Sequence, residues 1–535
     1  MDRKTAAIIP VAAAASVASV MTVSCDGSVR IVQQKPNIIV FLVDDMGLMD
    51  TSVPFLTDSE GQPVEHPLNR WYRTPNMQRL ADQGVRFSQF YAQSVSSPSR
   101  ASLLTGQNAT RHGVTNWIYS ESNNRNTYGP PDWNWQGLDS ADYTLPRLLS
   151  DAGYRTIHVG KAHFGPFGSQ GEDPLNLGFD VNVAGCSIGE PGSYYGRDGY
   201  GLYRGSRSRA VPGLEEFFED DVFLTDALTI RAEEEMSRAI EEGVPFYLNM
   251  AHYAVHWPFM PDPRFVSHYQ DTAFSRDAVG FATLIEGMDR SLGEIMDFLV
   301  EKGVAENTLI FFLGDNGSDA PIGEERGYGS SAPLRGKKGT EFEGGIRVPF
   351  IVAWAAPEGG RSVGRGRSVR KFSDESSNIR VSQHLLPIPR GEVRTQIGTI
   401  MDIYPTIAAL VGARVLETHP VDGHDLSRII VRGEDSRHPG TFLMHFPHDH
   451  RGKYFTTYRE DDWKLIYYWS PEKPSAAHYV LYDLASDPCE TEDVSARYPD
   501  VTASLLEHMA AQLEREGARY PVDSADRPLS VHVLP

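Results

Sequence analysis

Cysteine is scarce. Three occur in 535 residues, at positions 25, 186 and 489. Two cysteines beyond the N-terminal region make no disulfide framework, so a hydrophobic core must hold the fold. Positive charge is also short: 50 Lys and Arg against 71 Asp and Glu leave a net charge of −21. That argues against nucleic acid or an anionic membrane surface as the main partner. An anionic substrate would need a local positive spot on this negative body. Long apolar runs are confined to the start of the chain. Nothing after residue 25 approaches the roughly 20 apolar residues of a membrane span. There is no internal repeat and no long low-complexity tract.

The start of the chain, "MDRKTAAIIPVAAAASVASVMTVSC", has Arg3 and Lys4 ahead of a small-residue apolar run from Ala6 to about Val23. This pattern predicts a secretory signal peptide over residues 1–24. Cys25 stands where a bacterial lipoprotein carries its lipid, although the preceding "TVS" departs from the usual box. Two readings stay open, a cleaved soluble protein and a lipid-anchored one.

Helices and strands alternate through the body. "KPNIIVFLVDDMG" has a continuous apolar run at Ile38–Val43, which predicts a strand buried on both faces. A helix and strand follow in "TPNMQRLADQGVRFSQFYA". Then come a helix at 146–152 stopped by Gly153, a strand at 156–159, a strand at 245–250 and a strand at 308–313. Before the last, Ile285, Met288, Leu292, Ile295 and Leu299 recur at helical spacing. This order predicts an α/β fold with a large, mostly parallel mixed sheet sandwiched by helices. After about residue 436 the texture turns to antiparallel strands and one amphipathic helix. We therefore expect an α/β domain over 36–435 and a smaller α+β domain over 436–535. Between Arg361 and Arg394 runs an irregular stretch with eight basic and three acidic residues.

Polar residues fall where such sheets bind ligands, just beyond the carboxyl ends of strands. Asp44 and Asp45, Lys161 and His163, His256, and Asp315 and Asn316 each follow a different strand. The acidic and amide groups are oxygen donors of the kind Ca²⁺ or Mg²⁺ takes, without the Cys or His that zinc prefers. Two lysines (161 and 338) and two histidines (163 and 256) add equipment for binding an oxyanion and protonating a departing alkoxide.

"SSPSRASLLTG", with Ser96 at its first position, resembles the signature of the sulfatase family. "VDDMG", "GKAHFG", "VHWPF", "LGDNG", "RGKKGTEFEGGIRVP", "DIYPT" and "LYDLASDP" resemble further blocks of that family in the same order, over nearly all of the mature chain. The resemblance implies an alkaline phosphatase-like fold and a sulfuric ester hydrolase. It implies that Ser96 is oxidised by a maturase to formylglycine (3-oxoalanine), whose hydrate attacks sulfur. A plain serine would be left as a stable sulfate ester. A gem-diol has a second hydroxyl whose deprotonation expels sulfate. By the same resemblance Asp44, Asp45, Asp315 and Asn316 hold Ca²⁺ or Mg²⁺, with the modified Ser96 as a further ligand. Arg100 orients the formylglycine, Lys161 and His163 bind diol and sulfate, and His256 protonates the leaving oxygen. Lys338, rather than Lys337, binds sulfate. Serine in place of the family's more common cysteine points to an anaerobic-type bacterial maturation route. With the leader, this places the protein in the periplasm or on the outer-membrane surface.

The expected substrate is a sulfated glycan, attacked in an exo manner, with galactose and N-acetylgalactosamine sulfates favoured. The loops Gly192–Arg209 and His445–Arg451 are candidates to touch sugar rings. Alternatives are a phosphodiester or phosphonate monoester hydrolase on the same scaffold, and a non-catalytic glycan-binding lipoprotein with Ser96 unmodified.

Overall fold

A computed structural model of the chain describes residues 35–205, 207–270, 273–355 and 386–531, together with two short paired strands, Met21–Val23 (β1) and Val29–Ile31 (β2). Most of the leader, Cys25 and most of the basic stretch after Arg361 lie outside the described residues.

The main sheet has eight strands: Asn37–Val43 (β3), Val85–Tyr91 (β4), Arg155–Gly160 (β5), Val181–Val183 (β6), Phe246–His252 (β7), Thr308–Gly314 (β8), Phe350–Trp354 (β9) and Glu392–Thr399 (β10). Their order is β10-β4-β9-β8-β3-β7-β5-β6. Only β9 runs against the others, since it pairs antiparallel with both β4 and β8. The central β3 alternates its side chains between two cores. Ile39, Phe41 and Val43 face one side, where helices Leu224–Glu242 and Arg276–Glu301 pack. Ile38, Val40 and Leu42 face the other, with helices Ser96–Thr105, Leu145–Asp151 and Ile403–Val411. Burial on both faces explains the unbroken apolar run that marks this strand in the sequence. Gly153 stops its helix with φ +82°, a conformation glycine adopts without cost.

A second sheet, Thr441–His450 (β11), Lys453–Glu460 (β12), Trp463–Trp469 (β13) and His478–Asp483 (β14), is an antiparallel meander. One face carries Leu443, Leu465 and Leu481 and takes Leu505, Leu506, Met509 and Leu513 of helix Pro499–Glu516. The other presents Phe442, Met444 and Phe455 to Tyr91, Val95 and Ile346 of the main body. The segment 445–450, read from sequence as a loop, is therefore strand. His445 bonds Thr456 Oγ1 at 2.7 Å and His448 bonds Thr115 Oγ1 at 2.9 Å, both buried. Only its end, His450 and Arg451, reaches the cavity described below.

The two sheets are also joined by buried charge. Lys464 Nζ lies 3.0 Å from Glu343 Oε1 and 2.6 Å from Glu490 Oε1, all three fully buried. Burial pushes the Glu490 carboxyl up to about 7 despite Lys464. Lys464→Met leaves buried Glu490 without its cation and Glu343 with only the 3.4 Å contact to Arg347 as a cationic partner. It is expected to cost about 3–5 kcal/mol in urea denaturation. An unchanged unfolding midpoint would show that this network does not help dock the meander.

Candidate active site

The register of the sheet brings the predicted residues together. Val43 pairs with His252 on one side and Gly314 on the other, and Gly160 pairs with Ala251. Strands β3, β8, β7 and β5 therefore end at one level. Backbone bonds continue past the strand ends: Asp315 N donates to Val43 O at 3.1 Å, Asp44 N to Ala254 O at 3.0 Å, and Lys161 N to Ala251 O at 2.7 Å. Asp45 and His163 hold positive φ, +61° and +57°, strain of the sort stored at functional sites. Gly317 is required by contact, because a Cβ there would meet the Gly344 carbonyl at 2.1 Å.

Ser96 is the first residue of helix Ser96–Thr105 and is 2% exposed. Its Oγ lies 3.0 Å from Asp44 Oδ1 and 3.3 Å from Asn316 Oδ1, and accepts from Lys161 Nζ at 3.2 Å. The free N–H groups of the helix's first turn favour negative charge beside it. The neighbouring serines hold structure instead. Ser97 Oγ accepts from Ile118 N, and Ser99 Oγ accepts from Gln93 N.

Arg100, one turn on, donates to Asp315 Oδ2 from Nε at 3.0 Å and Nη2 at 2.8 Å, and to Lys161 O at 2.8 Å. Lys161 Nζ meets Asp44 Oδ2 at 2.6 Å. Lys338 Nζ donates to Asp45 Oδ2 at 2.7 Å, whereas Lys337 turns to Asp319 at 3.0 Å. Asn316 gives its Nδ2 to Asp45 Oδ1 and Gly317 O, which aims its Oδ1 at Ser96. His163 Nε2 is bound to Ile118 O at 2.6 Å. His256 directs Nδ1 to Trp257 O at 2.9 Å, so its Nε2 accepts from Lys338 Nζ at 3.0 Å.

Titration follows from this crowding. Burial pushes the Asp44 carboxyl up to about 8 in spite of Lys161. Burial opposes the Asp45 carboxylate as well, but His256, Lys338 and Lys161 hold it well below the usual range. Burial lowers His256 to about 4, with Lys338 adding to the fall.

The carboxylate oxygens of Asp44, Asp45 and Asp315 lie within 4.8 Å of one another. The Asn316 and Ser96 oxygens adjoin them, an all-oxygen donor set that fits a hard divalent cation. Three acidic side chains face three cations, Arg100, Lys161 and Lys338. A divalent ion added to this balance gives a net positive site, the local exception that an anionic substrate needs on a negative chain.

Ser96, Lys161, His163, His256 and Lys338 line a cavity of about 560 Å³. Its walls include Trp117, Tyr119, Glu190, Arg209, Asp319 and Arg451. Arg209 pairs with Glu190 at 2.8 Å, and Arg451 with Asp319 at 3.1 Å. Trp117, Tyr119, Glu190 and Asp319 were not legible as site residues. The only hint is the aromatic cluster "NWIY" shortly after the signature helix, which the Ile118 bonds to Ser97 and His163 lock against the site.

Comparisons with known proteins identify the family. The sulfatase family model matches residues 36–413. N-acetylgalactosamine-6-sulfatase of Canis lupus familiaris is 31% identical over 413 residues, 76% of this chain and 68% of that one. Arylsulfatase J of Mus musculus is 26% identical, over 89% of this chain and 75% of that one. A crystal structure of Ps i-CgsB in complex with k-i-k-neocarrahexaose superposes with TM-score 0.66 at 23% identity, covering 92% of this chain and 96% of that one. The chain spans about two thirds of the N-acetylgalactosamine-6-sulfatases that it matches. With the family model covering most of the chain, the protein belongs to the sulfatase family and is a sulfuric ester hydrolase.

Proposed function

We propose that this enzyme removes sulfate from a sulfated glycan with formylglycine at position 96 and one divalent cation, Ca²⁺ or Mg²⁺, held by Asp44, Asp45, Asp315 and Asn316. One observation carries the reading. Ser96 Oγ sits at a helix N-terminus on the cavity floor, between an oxygen-donor cluster and Lys161. The formylglycine hydrate supplies a nucleophilic oxygen and a second hydroxyl whose loss of a proton frees sulfate, and the cation lowers the pKa of bound oxygens. Lys161 and Lys338 stand where they bind sulfate oxygens, and Arg100 keeps Asp315 turned toward the cluster. Mass spectrometry of the Ser96 peptide is expected to show the loss of two hydrogens. An unmodified and inactive protein from a maturing host would support the glycan-binding alternative.

Galactose or N-acetylgalactosamine sulfates are the proposed substrates, supported by the names of the relatives at 29–31% identity. A panel of defined sulfated sugars tests this, with a phosphonate monoester as counter-substrate. Faster turnover of the phosphonate would overturn the sulfatase reading of this pocket.

We assign to His256 the delivery of a proton to the leaving oxygen; its Nε2 accepts from Lys338 Nζ, so that proton would come by way of Lys338. A sugar alkoxide needs a proton as the S–O bond breaks, and a nitrophenolate needs almost none. His256→Ala is therefore expected to slow glycan desulfation by about 10²–10⁴-fold more than hydrolysis of an aryl sulfate. Equal losses would show that His256 binds sulfate instead, leaving Lys338 or His163 as the acid.

A further inference from the structure

Among the described residues, one other cluster has metal-binding side chains: Asp402, His424 and His438, whose ligand atoms lie within 4.8 Å of one another. They come from three segments. Asp402 ends the short turn Ile400–Asp402 after β10, His424 precedes helix Ser427–Arg432, and His438 lies on the approach to β11.

The carboxylate is fixed by backbone. Asp402 Oδ2 accepts from Thr399 N and Oδ1 from His424 N, both at 2.7 Å. Leu426 N donating to Thr406 Oγ1 at 2.8 Å, and Gly423 N to Gly106 O at 3.0 Å, pin the same loop. Gly423 leaves no choice of residue, since a Cβ would meet Met401 O at 2.2 Å. Each carboxylate oxygen keeps a further lone pair.

His438 points to a ligand. Its side chain is 6% exposed, yet its Nε2 is buried with no hydrogen-bond partner. That nitrogen faces Asp402 Oδ2 at 3.6 Å, too long for a hydrogen bond. The His424 ring stands beside it, with centroids 5.4 Å apart. A buried polar atom left unpaired is costly, and a cation between imidazole and carboxylate would satisfy both.

We propose that Asp402, His424 and His438 form a second, structural metal site for Zn²⁺. Two imidazoles and a carboxylate suit zinc, whereas calcium takes oxygen alone. Bonds of about 2.0–2.1 Å in a tetrahedron put donors about 3.3 Å apart, close to the present spacing of His438 and Asp402. His424, exposed on its loop, would move most, and water would fill the fourth position. Binding through Nε2 puts the His438 proton on Nδ1. It therefore displaces the 3.2 Å contact from Gly440 N, the longest hydrogen bond of the cluster. The site adjoins Gly106, at the end of the signature helix remote from Ser96.

Tag-free protein, stripped with a chelator and reloaded with excess Ca²⁺, is titrated with Co²⁺. One equivalent is expected to give the visible absorption of tetrahedral Co²⁺, which one equivalent of Zn²⁺ abolishes. Zn²⁺ alone should raise the melting temperature. H424Q/H438Q should lose the band and the thermal shift but keep Ca²⁺-supported desulfation. Absence of the band in the parent protein, or its survival in the double variant, overturns the site. If the double variant does not fold, H424Q, altered on an exposed loop, should weaken Zn²⁺ more than about tenfold. Unchanged affinity there likewise overturns the proposal.

Discussion

Ser96→Ala is expected to yield a folded protein with no measurable sulfate release. The lost hydroxyl makes hydrogen bonds worth about 1 kcal/mol each, and Asp44 keeps Lys161 and Arg100 as partners. Stability should change little. Activity has no bypass, because the hydroxyls of Ser97 and Ser99 are engaged by Ile118 N and Gln93 N. Circular dichroism and sulfate release on the same preparation check both halves. Clear residual turnover would place the nucleophile elsewhere. Ser96→Cys should be active only from a host that matures cysteine.

Asp315→Ala is expected to remove both activity and stability. The carboxylate is a proposed cation ligand, the twofold acceptor for Arg100, and the acceptor of Asp45 N–H at 3.0 Å. Arg100 is 1% exposed. Once Asp315 is gone, Arg100 retains Lys161 O and a 3.4 Å approach to Asp44. Stranding a buried charge of this kind costs about 3–5 kcal/mol. Asp315→Asn keeps the shape and one acceptor. It should recover much of the stability and none of the activity. Elemental analysis should show less bound Ca²⁺ or Mg²⁺ in both variants. Undiminished metal and turnover in Asp315→Asn would remove this residue from the cation site.

The central strands and the residues at their ends were readable from sequence because one physical constraint governs both. A strand buried on both faces is an apolar run, so Asp44 after Val43 and Asp315 after Gly314 stand out. The antiparallel β9 was not readable, since FIVAW is equally apolar in either direction. Nor was the strand at 445–450. Its histidines look like loop residues in sequence, but two of them find partners only across the fold, Thr456 and Arg519 for His445, Thr115 and Arg125 for His448. Trp117, Glu190 and Asp319 stayed hidden for the same reason, because their place in the cavity depends on contacts remote in sequence. Lys338 could be separated from Lys337 by alignment to the family block, and the structure gives the physical difference: one ammonium reaches Asp45, the other Asp319.

The burial of Ser96 sets an order of events during synthesis. In the finished molecule its backbone is wound into a helix, and its side chain sits at the bottom of a cavity whose wall includes His450 and Arg451. An enzyme acting on Ser96 in the folded protein would have to reach it through that cavity. Under the function proposed above, an enzyme that oxidises Ser96 would therefore act on the chain before this helix docks. His450 and Arg451, which form part of that wall, are translated long after Ser96, so folding would shut a window that synthesis leaves open. Variants that fold their N-terminal portion faster should then be poorer enzymes, with a larger fraction of unconverted serine.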